Sequence, residues 1–189
     1  MKRPPLSLKA QAFALLARRE HSRAELRSKL LAHARKRAQA LAALAAANAA
    51  LGPRDPWDTP DEASPALFAE AEDAEATASE VDALLDELEA ARHLSDARFA
   101  ESRIHARAKR QGTARIKQEL ARHGVEMDPD TARQLRETEL ARARDVWRRK
   151  YGGEPATEPA ERARQMRFLA ARGFAGDVVR RVVGGRDDE

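Results

Sequence analysis

A pattern of helix, glycine turn and apolar residue recurs along this chain and limits the folds open to it. Leu120 and Gly124 are matched just under fifty residues later by Leu169 and Gly173, and an apolar residue follows each glycine. Recurrence at such a period is typical of repeat architectures, in which a single unit buries too little apolar surface to be stable alone. The pattern therefore predicts tandem helical repeats.

The composition favours several thin helical layers over one large core. The chain of 189 residues is 35% charged and only 4% aromatic, and alanine, which fills little volume, supplies much of its apolar share. Alanine, arginine, glutamate and leucine favour helix, and we find no convincing strand pattern of alternating apolar and polar residues. We predict an all-α fold in which three tandem three-helix repeats form an elongated, curved solenoid.

The helix signals predict the limits of these repeats. The first repeat covers residues 6–91, the second 94–137 and the third 138–185, and a polar tail follows at 186–189. An insert interrupts the first repeat at about 35–78. We expect the alanine-rich start of this insert to extend the second helix to Leu51, a proline-rich loop containing Trp57 to follow, and the acidic part from Ala66 to be weak helix or disordered. An ordered third helix is then expected to begin at Ser79.

Capping patterns predict other helix starts. Ser22 with Glu25 three residues later forms a capping box. Asp128 before Pro129 predicts an N-cap followed by proline at the first helical position. After Gly112, Thr113 is expected to cap the second helix of the middle repeat.

The middle repeat combines a narrow apolar stripe with many cations. Residues at helical spacing that are expected to face its core are Ala97, Ala100, Ile104 and Ala108. Arg103, Arg107 and Arg110 follow one another at i, i+4 and i+7, which predicts one cationic helix face. The surface extends into the third repeat, so the complete set of candidate binding residues is Arg98, Arg103, Arg107, Lys109, Arg110, Arg115, Lys117, Arg122, Arg148, Arg149, Lys150, Arg164 and Arg167.

The net charge of +4 hides a strong asymmetry along the chain. Residues 54–91 hold 13 acidic side chains and one basic one, which leaves 34 basic and 18 acidic residues elsewhere. A basic body of this kind indicates a polyanionic partner or an acidic protein surface. The plainer interpretation is a solvated, arginine-rich surface. Few asparagine or glutamine side chains stand where base edges could be read, so any DNA binding is expected to be independent of sequence.

The sequence offers little that could form an active site. Its paired glycines lack the spacing of a phosphate-binding loop, and no cysteine is available for disulfides or thiolate metal sites. Glu101 and His105 have the i, i+4 spacing of a metal pair without an evident third ligand, so an ordinary surface contact is favoured. The first residues, MKRPPLSLKAQAFALL, are too polar for a signal peptide or membrane span. We therefore expect a cytoplasmic protein without catalytic activity, metal or cofactor.

The chain contains four segments in this order: LLARREHSRAELRSKL, LSDARFAESRIHARAKRQGTARIKQELARHGV, ELARARDVWRRKYG and RQMRFLAARGF. Together they resemble the RecX regulatory proteins of bacteria. Their order and spacing match that family from Leu8 to about Val183, apart from the insert. The resemblance implies three three-helix repeats and a modulator, usually an inhibitor, of the RecA recombinase.

RecX proteins bind the RecA filament on single-stranded DNA, lie along its groove, restrict filament growth and lower ATPase and strand-exchange activity. The resemblance thus implies a part in regulating DNA repair, recombination and the SOS response. We expect a monomer, although no pattern in the sequence addresses the oligomeric state. The resemblance leaves open whether the cations meet RecA or DNA phosphate. The alternative is a general helical DNA-binding protein, for single-stranded or double-stranded DNA, without RecA specificity.

Overall fold

A computed structural model describes residues 6–51 and 66–185, with side chains described for 6–47 and 73–185. Within these ranges the chain forms helices and no strand, as the sequence predicts. The helices are α1 Leu8–Leu16, α2 Arg23–Leu51, α3 Ala66–Ala90, α4 Asp96–Ala108, α5 Thr113–Arg122, α6 Pro129–Glu137, α7 Glu139–Tyr151, α8 Pro159–Ala170 and α9 Gly176–Val183. They belong to two compact units, Met1–Ser95 and Asp96–Glu189. The repeat limits given above stay predictions.

The first unit packs α1, α2 and α3 around a small leucine-rich core. Its buried residues are Leu8, Ala12, Leu26, Leu30, Val81, Leu84, Leu85, Leu88 and Leu94. Along α1, α2 and the end of α3 these residues recur at the three- and four-residue spacing of a helix, so each helix turns one face to the core. Leu94 joins them from the turn after α3.

The described parts of the predicted insert are helical. Helix α2 runs to Leu51. Of the two alternatives expected for the acidic part, weak helix or disorder, the structure has helix, and this helix continues without a break into the one expected from Ser79, so that α3 spans Ala66–Ala90 and Ser79 is not a helix start. No glycine or proline interrupts the segment from Ala66 to Ala90, and its alanine and glutamate content favours helix. The predicted loop with Trp57 and the tail at 186–189 lie outside the described residues.

Ion pairs align α2 with α3. Arg27 donates to both carboxylate oxygens of Asp82, at 2.6 and 2.8 Å. One turn away Arg23 reaches Asp86 at 2.7 Å and Glu89 at 2.8 Å. Exposed pairs of this kind contribute little to stability, because water screens their charges. The leucine core therefore holds the unit together, and the charges favour one register of the two helices.

The second unit contains two neighbouring cores. One comprises Phe99, Ile116, Leu120, Val125, Met127 and Leu135. The other comprises Ala143, Val146, Trp147, Leu169, Phe174, Val178, Val179, Val182 and Val183. The expected apolar stripe of α4 misses its principal core residue, Phe99, which is fully buried, whereas Ala97 is exposed.

The recurring glycines end their helices in the same way. Gly124 and Gly173 have φ values of 71° and 81°, the left-handed conformation that glycine adopts without steric cost. The amide of Val125 donates to the carbonyl of Leu120 at 3.1 Å, and the equivalent bond after Gly173 measures 3.4 Å. Both are Schellman turns. The predicted repeat is thus confirmed at the level of backbone geometry.

Two of the predicted caps are confirmed. The Ser22 hydroxyl accepts a hydrogen bond from the amide of Glu25 at 3.1 Å, at the start of α2. The Asp128 carboxylate accepts one from the amide of Thr131 at 2.9 Å, at the start of α6. In each case a side-chain oxygen satisfies an amide that the helix itself leaves unpaired.

The cap predicted for α5 is wrong. Thr113 is the first helical residue, and the N-cap position is taken by Gly112, which has no side chain to offer. The missing acceptor comes instead from the buried carboxylate of Glu139, the first residue of α7. This carboxylate accepts from the Thr113 amide at 3.0 Å and from its hydroxyl at 3.1 Å.

Arg142 completes this buried polar junction. Its guanidinium donates to the carbonyls of Ala108 at 3.0 Å, Gln111 at 2.6 Å and Leu135 at 2.7 Å. Burial lowers the pKa of Arg142, and the negative charge of Glu139 opposes that effect. One side chain therefore holds the ends of α4 and α6 against α7.

The turn before α5 also touches the turn after α8. The amide of Gly112 donates to the carbonyl of Arg172 at 2.9 Å. A Cβ atom on Gly112 would lie 2.1 Å from the carbonyl oxygen of Gly173. Only glycine permits this backbone approach, which joins the middle three helices to the last three.

Candidate nucleic-acid interface

A concave basic surface lies on the second unit where the end of α4 meets α7 and α8. We call it the cationic cleft. It encloses about 320 Å³ and is lined by Lys109, Arg110, Val146, Arg149, Lys150, Phe168 and Arg172. Five of these seven side chains are cations, and two are apolar. Several cations around one concavity can neutralise more than one phosphate of a nucleic acid.

Local structure positions the cations of the cleft. Arg149 and Lys150 occupy the last turn of α7, where the helix dipole favours positive charge. Lys109 follows the end of α4, and its carbonyl accepts a hydrogen bond of 3.5 Å from Arg149. The turn into α5 thereby places the cations of two segments, 40 residues apart in sequence, side by side.

An aromatic stack supports one wall of the cleft. The guanidinium carbon of Arg172 lies 3.6 Å from the centre of the Phe168 ring. The same guanidinium donates to the Phe168 carbonyl at 3.2 Å. Tyr151 meets this ring edge to face at a centroid distance of 5.3 Å. Stacking restricts the arginine while its remaining N–H groups can donate to a ligand.

Two arginines of the predicted cationic face are directed elsewhere. Glu119 on α5 pairs with Arg103 at 3.6 Å and with Arg107 at 3.1 Å. Arg110 lies beyond the last residue of α4, so it does not continue that helical face. The expectation of one exposed stripe is therefore wrong in its geometry: two of its members link α4 to α5, and Arg110 lines the cationic cleft.

The remaining candidates lie outside the cleft. Arg98 is half-buried, and Arg164 lies 3.6 Å from Glu161 on the same helix. Exposed candidates that do not line the cleft are Arg115, Lys117, Arg122, Arg148 and Arg167. Of the thirteen candidates, the structure thus gathers four: Lys109, Arg110, Arg149 and Lys150.

Comparison with known proteins agrees with the helical organisation. Residues 95–128 match the family model of the RecX second three-helix domain, and residues 137–183 match that of the third. Regulatory protein RecX of Ralstonia pickettii (strain 12J) is 42% identical over 188 residues, which cover 98% of this chain and 92% of that protein. The chain belongs to the RecX family. Regulatory protein RecX of Leptothrix cholodnii is also 42% identical, over 99% of this chain and 94% of its own length, and that of Pseudomonas entomophila is 34% identical over 97% and 95%.

For this RecX family member, the sequence missed the cleft's aromatic stack, because neither Phe168 nor Arg172 was among the candidate binding residues. Phe168 and Arg172 stand at i, i+4, the spacing at which two side chains meet on one face of a helix. That spacing was the available signal. It was obscured because Arg172 lies in the turn after α8 and belongs, by pattern, to a glycine turn.

Among the residues with described side chains, no three histidine or acidic groups gather as metal ligands would, so Glu101 and His105 do not belong to such a cluster there. Across the described segments, none of the helices is both long and apolar enough to cross a membrane.

Proposed function

We propose that this chain binds the RecA filament on single-stranded DNA and modulates it, mainly by inhibiting ATPase activity, filament growth and strand exchange. It would thereby regulate DNA repair, recombination and the SOS response as a monomeric cytoplasmic protein without catalytic activity of its own. Membership of the RecX family supports a regulatory role. The cationic cleft is the observation that supports a filament containing nucleic acid as the target.

The shape and charge of the cleft suit a flexible, single-stranded backbone. Lys109 and Arg110 on one side and Arg149 and Lys150 on the other offer donors to phosphate from two directions. Arg172 adds a planar donor held against Phe168. Together these groups recognise a phosphate chain by charge, without reading its bases.

The number of cations that contact phosphate determines how steeply the affinity for DNA falls with salt concentration. Each phosphate neutralised on single-stranded DNA contributes about −0.7 to the slope of log affinity against log salt. Engagement of three to five cleft cations would thus give a slope of roughly −2 to −3.5. A flat dependence would show that this surface does not bind phosphate.

RecA ATPase activity on single-stranded DNA provides the direct test. The chain is titrated into preformed filaments, and the rate of ATP hydrolysis is followed against the molar ratio of chain to RecA. A filament modulator inhibits well below one chain per RecA subunit, because a single bound molecule affects many subunits. Inhibition only at amounts that coat the DNA would identify the alternative, a general DNA-binding protein that competes with RecA.

A cleft variant separates specific inhibition from indirect effects. The double substitution Arg149→Glu and Lys150→Glu should raise the concentration needed for half-inhibition by tenfold or more. Arg133→Glu with Arg136→Glu makes the same charge change on the exposed face of α6, outside the cleft, and serves as the matched control. Equal loss of inhibition in both variants would assign the effect to overall charge.

A further inference from the structure

The second unit contains another concave surface, of opposite charge to the cationic cleft. We call it the acidic groove. It encloses about 670 Å³ between one face of α4, the connection from α5 to α6, and α6 itself. The residues that line it are Asp96, Ala97, Ala100, Glu101, Ile104, Gly124, Val125, Glu126, Met127, Asp128, Thr131 and Gln134.

The floor of the groove is the apolar stripe that the sequence assigned to the repeat core. Ala97 is exposed in it, and Ala100 and Ile104 are only half-buried. Phe99 takes the core position instead, on the adjacent face of α4. Val125 and Met127, 6% and 9% exposed, complete the floor from the other side. The helix thus presents two alanines and one isoleucine, spaced about one turn apart, to an open groove.

Carboxylates surround this apolar floor. Asp96 and Glu101 stand on α4, and Glu126 and Asp128 stand on the opposite wall. A hydrogen bond from the backbone of Thr131 lowers the pKa of Asp128, so its carboxyl is ionised at neutral pH. None of the described residues that line the groove is lysine or arginine. Outside the acidic stretch 54–91 the chain is strongly basic, so this concentration of negative charge is local.

We propose that the acidic groove binds the protein part of the filament: a surface segment of RecA that presents an apolar side chain flanked by lysine or arginine. Negative charge on both walls attracts such cations and repels phosphate, which argues against DNA as the occupant. The small alanine side chains leave room for the apolar anchor, whose burial supplies affinity. The inference rests on the proposed function and divides it between two surfaces, with DNA at the cationic cleft and RecA at the acidic groove.

Two kinds of variant test the groove. Glu101→Lys with Glu126→Lys reverses its charge, and Ala97→Trp fills its floor without changing charge. Glu137→Lys with Glu154→Lys is the matched control, since both glutamates are exposed and lie outside the groove. Circular dichroism and urea unfolding establish that each variant keeps the helical fold.

Three measurements are made on the full chain and each variant: affinity for RecA filaments on single-stranded DNA, affinity for the same DNA alone, and sedimentation velocity. Both groove variants should bind filaments at least tenfold more weakly, with DNA affinity unchanged for Ala97→Trp and unchanged or higher after charge reversal. The control should match the unaltered chain in filament affinity.

The outcomes separate the two proposals. If the unaltered chain fails to bind filaments beyond its affinity for DNA, the proposed function fails and takes the inference with it. If the unaltered chain binds filaments and both groove variants bind equally well, the inference alone is overturned. Loss of a self-association in the groove variants would also overturn it, by identifying a second copy of this chain as the occupant.

Discussion

Glu139 caps α5 from another helix: its two carboxylate oxygens accept hydrogen bonds from the amide and the hydroxyl of Thr113, at 3.0 and 3.1 Å. The carboxylate is only 3% exposed, and Arg142 lies in the same buried junction. A helix start that lacks its own capping side chain is thus completed by the first residue of α7. The middle and last sets of three helices depend on each other for this bond.

Replacing Glu139 by alanine should lower the free energy of unfolding by about 2–3 kcal/mol, because the buried amide and hydroxyl of Thr113 both lose their acceptor. The substitution also removes the negative charge that favours the charged form of Arg142. Urea unfolding followed by circular dichroism measures the change. Glu137→Ala, two residues earlier and exposed, is the control and should change stability by less than about 0.5 kcal/mol. Similar values for both would show that the cap contributes little.

Gly112→Ala should destabilise the second unit by about 3 kcal/mol, the upper end for an overpacked site. The added methyl would overlap the backbone of Gly173 and force the two turns apart. Gly152→Ala is the matched control, because its φ is also unfavourable for alanine, at +79°, yet nothing lies within 4 Å of the new methyl. It should cost only the conformational penalty of about 1–2 kcal/mol. Thermal or urea unfolding ranks the two, and a smaller effect for Gly112→Ala would contradict the close approach.

Glu25 should make the first unit sensitive to acid. Burial would raise the pKa of its carboxyl, but hydrogen bonds and charge from Arg19 and Lys29 lower it from 4.5 to about 2. The unfolded chain therefore takes up this proton at a higher pH than the folded chain does. The resulting stabilisation is complete above about pH 4.5 and is lost as the pH falls towards 2.

The variant Glu25→Gln should unfold more easily at pH 7, by roughly 1–3 kcal/mol, and lose less stability than the unaltered chain between pH 4.5 and 2. Urea unfolding at a series of pH values provides the measurement. Glu75→Gln, exposed on α3, should leave the acid profile unchanged. If the Glu25→Gln profile retained its full steepness, another group would have to account for the acid sensitivity.

Arg103 and Arg107 should act through stability rather than through the cationic cleft. Replacing both by glutamate places three negative charges together with Glu119 and should cost on the order of 1 kcal/mol, since the pairs are partly exposed. Adding Glu119→Arg reverses the pairs and should recover most of that loss. Affinity for single-stranded DNA, measured by fluorescence anisotropy, should then return with stability. A persistent loss of DNA affinity in the stable triple variant would assign these arginines a direct binding role.

Substitution of cations in the cleft should, in contrast, weaken DNA binding without disturbing the fold. Arg149→Glu with Lys150→Glu should weaken single-stranded DNA binding at least tenfold and reduce the salt slope by about 1.4, or about 0.7 per cation removed. Helix content should be unchanged, because both side chains are exposed. Anisotropy titrations at several salt concentrations measure both quantities. The Arg133→Glu, Arg136→Glu variant should keep the slope of the unaltered chain, and an equal reduction there would argue against a localised site.

The features that the sequence predicted correctly are those that depend on neighbouring residues along the chain. The glycines that end helices, the caps at Ser22 and Asp128, and the buried leucines of α2 follow from local hydrogen bonding and the helical period. Apart from Asp128, these residues lie mostly in the segments that resemble the RecX family. The sequence erred where a residue had two local interpretations. Thr113 is a good cap by type, and Ser79 looks like a helix start, although the alanine-rich segment before it continues the helix.

Tertiary structure alone decided which cations and carboxylates act together. Period and composition identify a charged face but not the partner opposite it, so they could not show that Glu119 engages Arg103 or that Glu139 reaches Thr113 across 26 residues. Side chains meet across helices only after packing sets the distances, and a charge changes its effect once it is paired or buried. The sequence by itself therefore determined an all-helical repeat protein with a basic body. The packing of its helices and turns decided which charged side chains bond to one another inside the fold, which line the cationic cleft and which line the acidic groove.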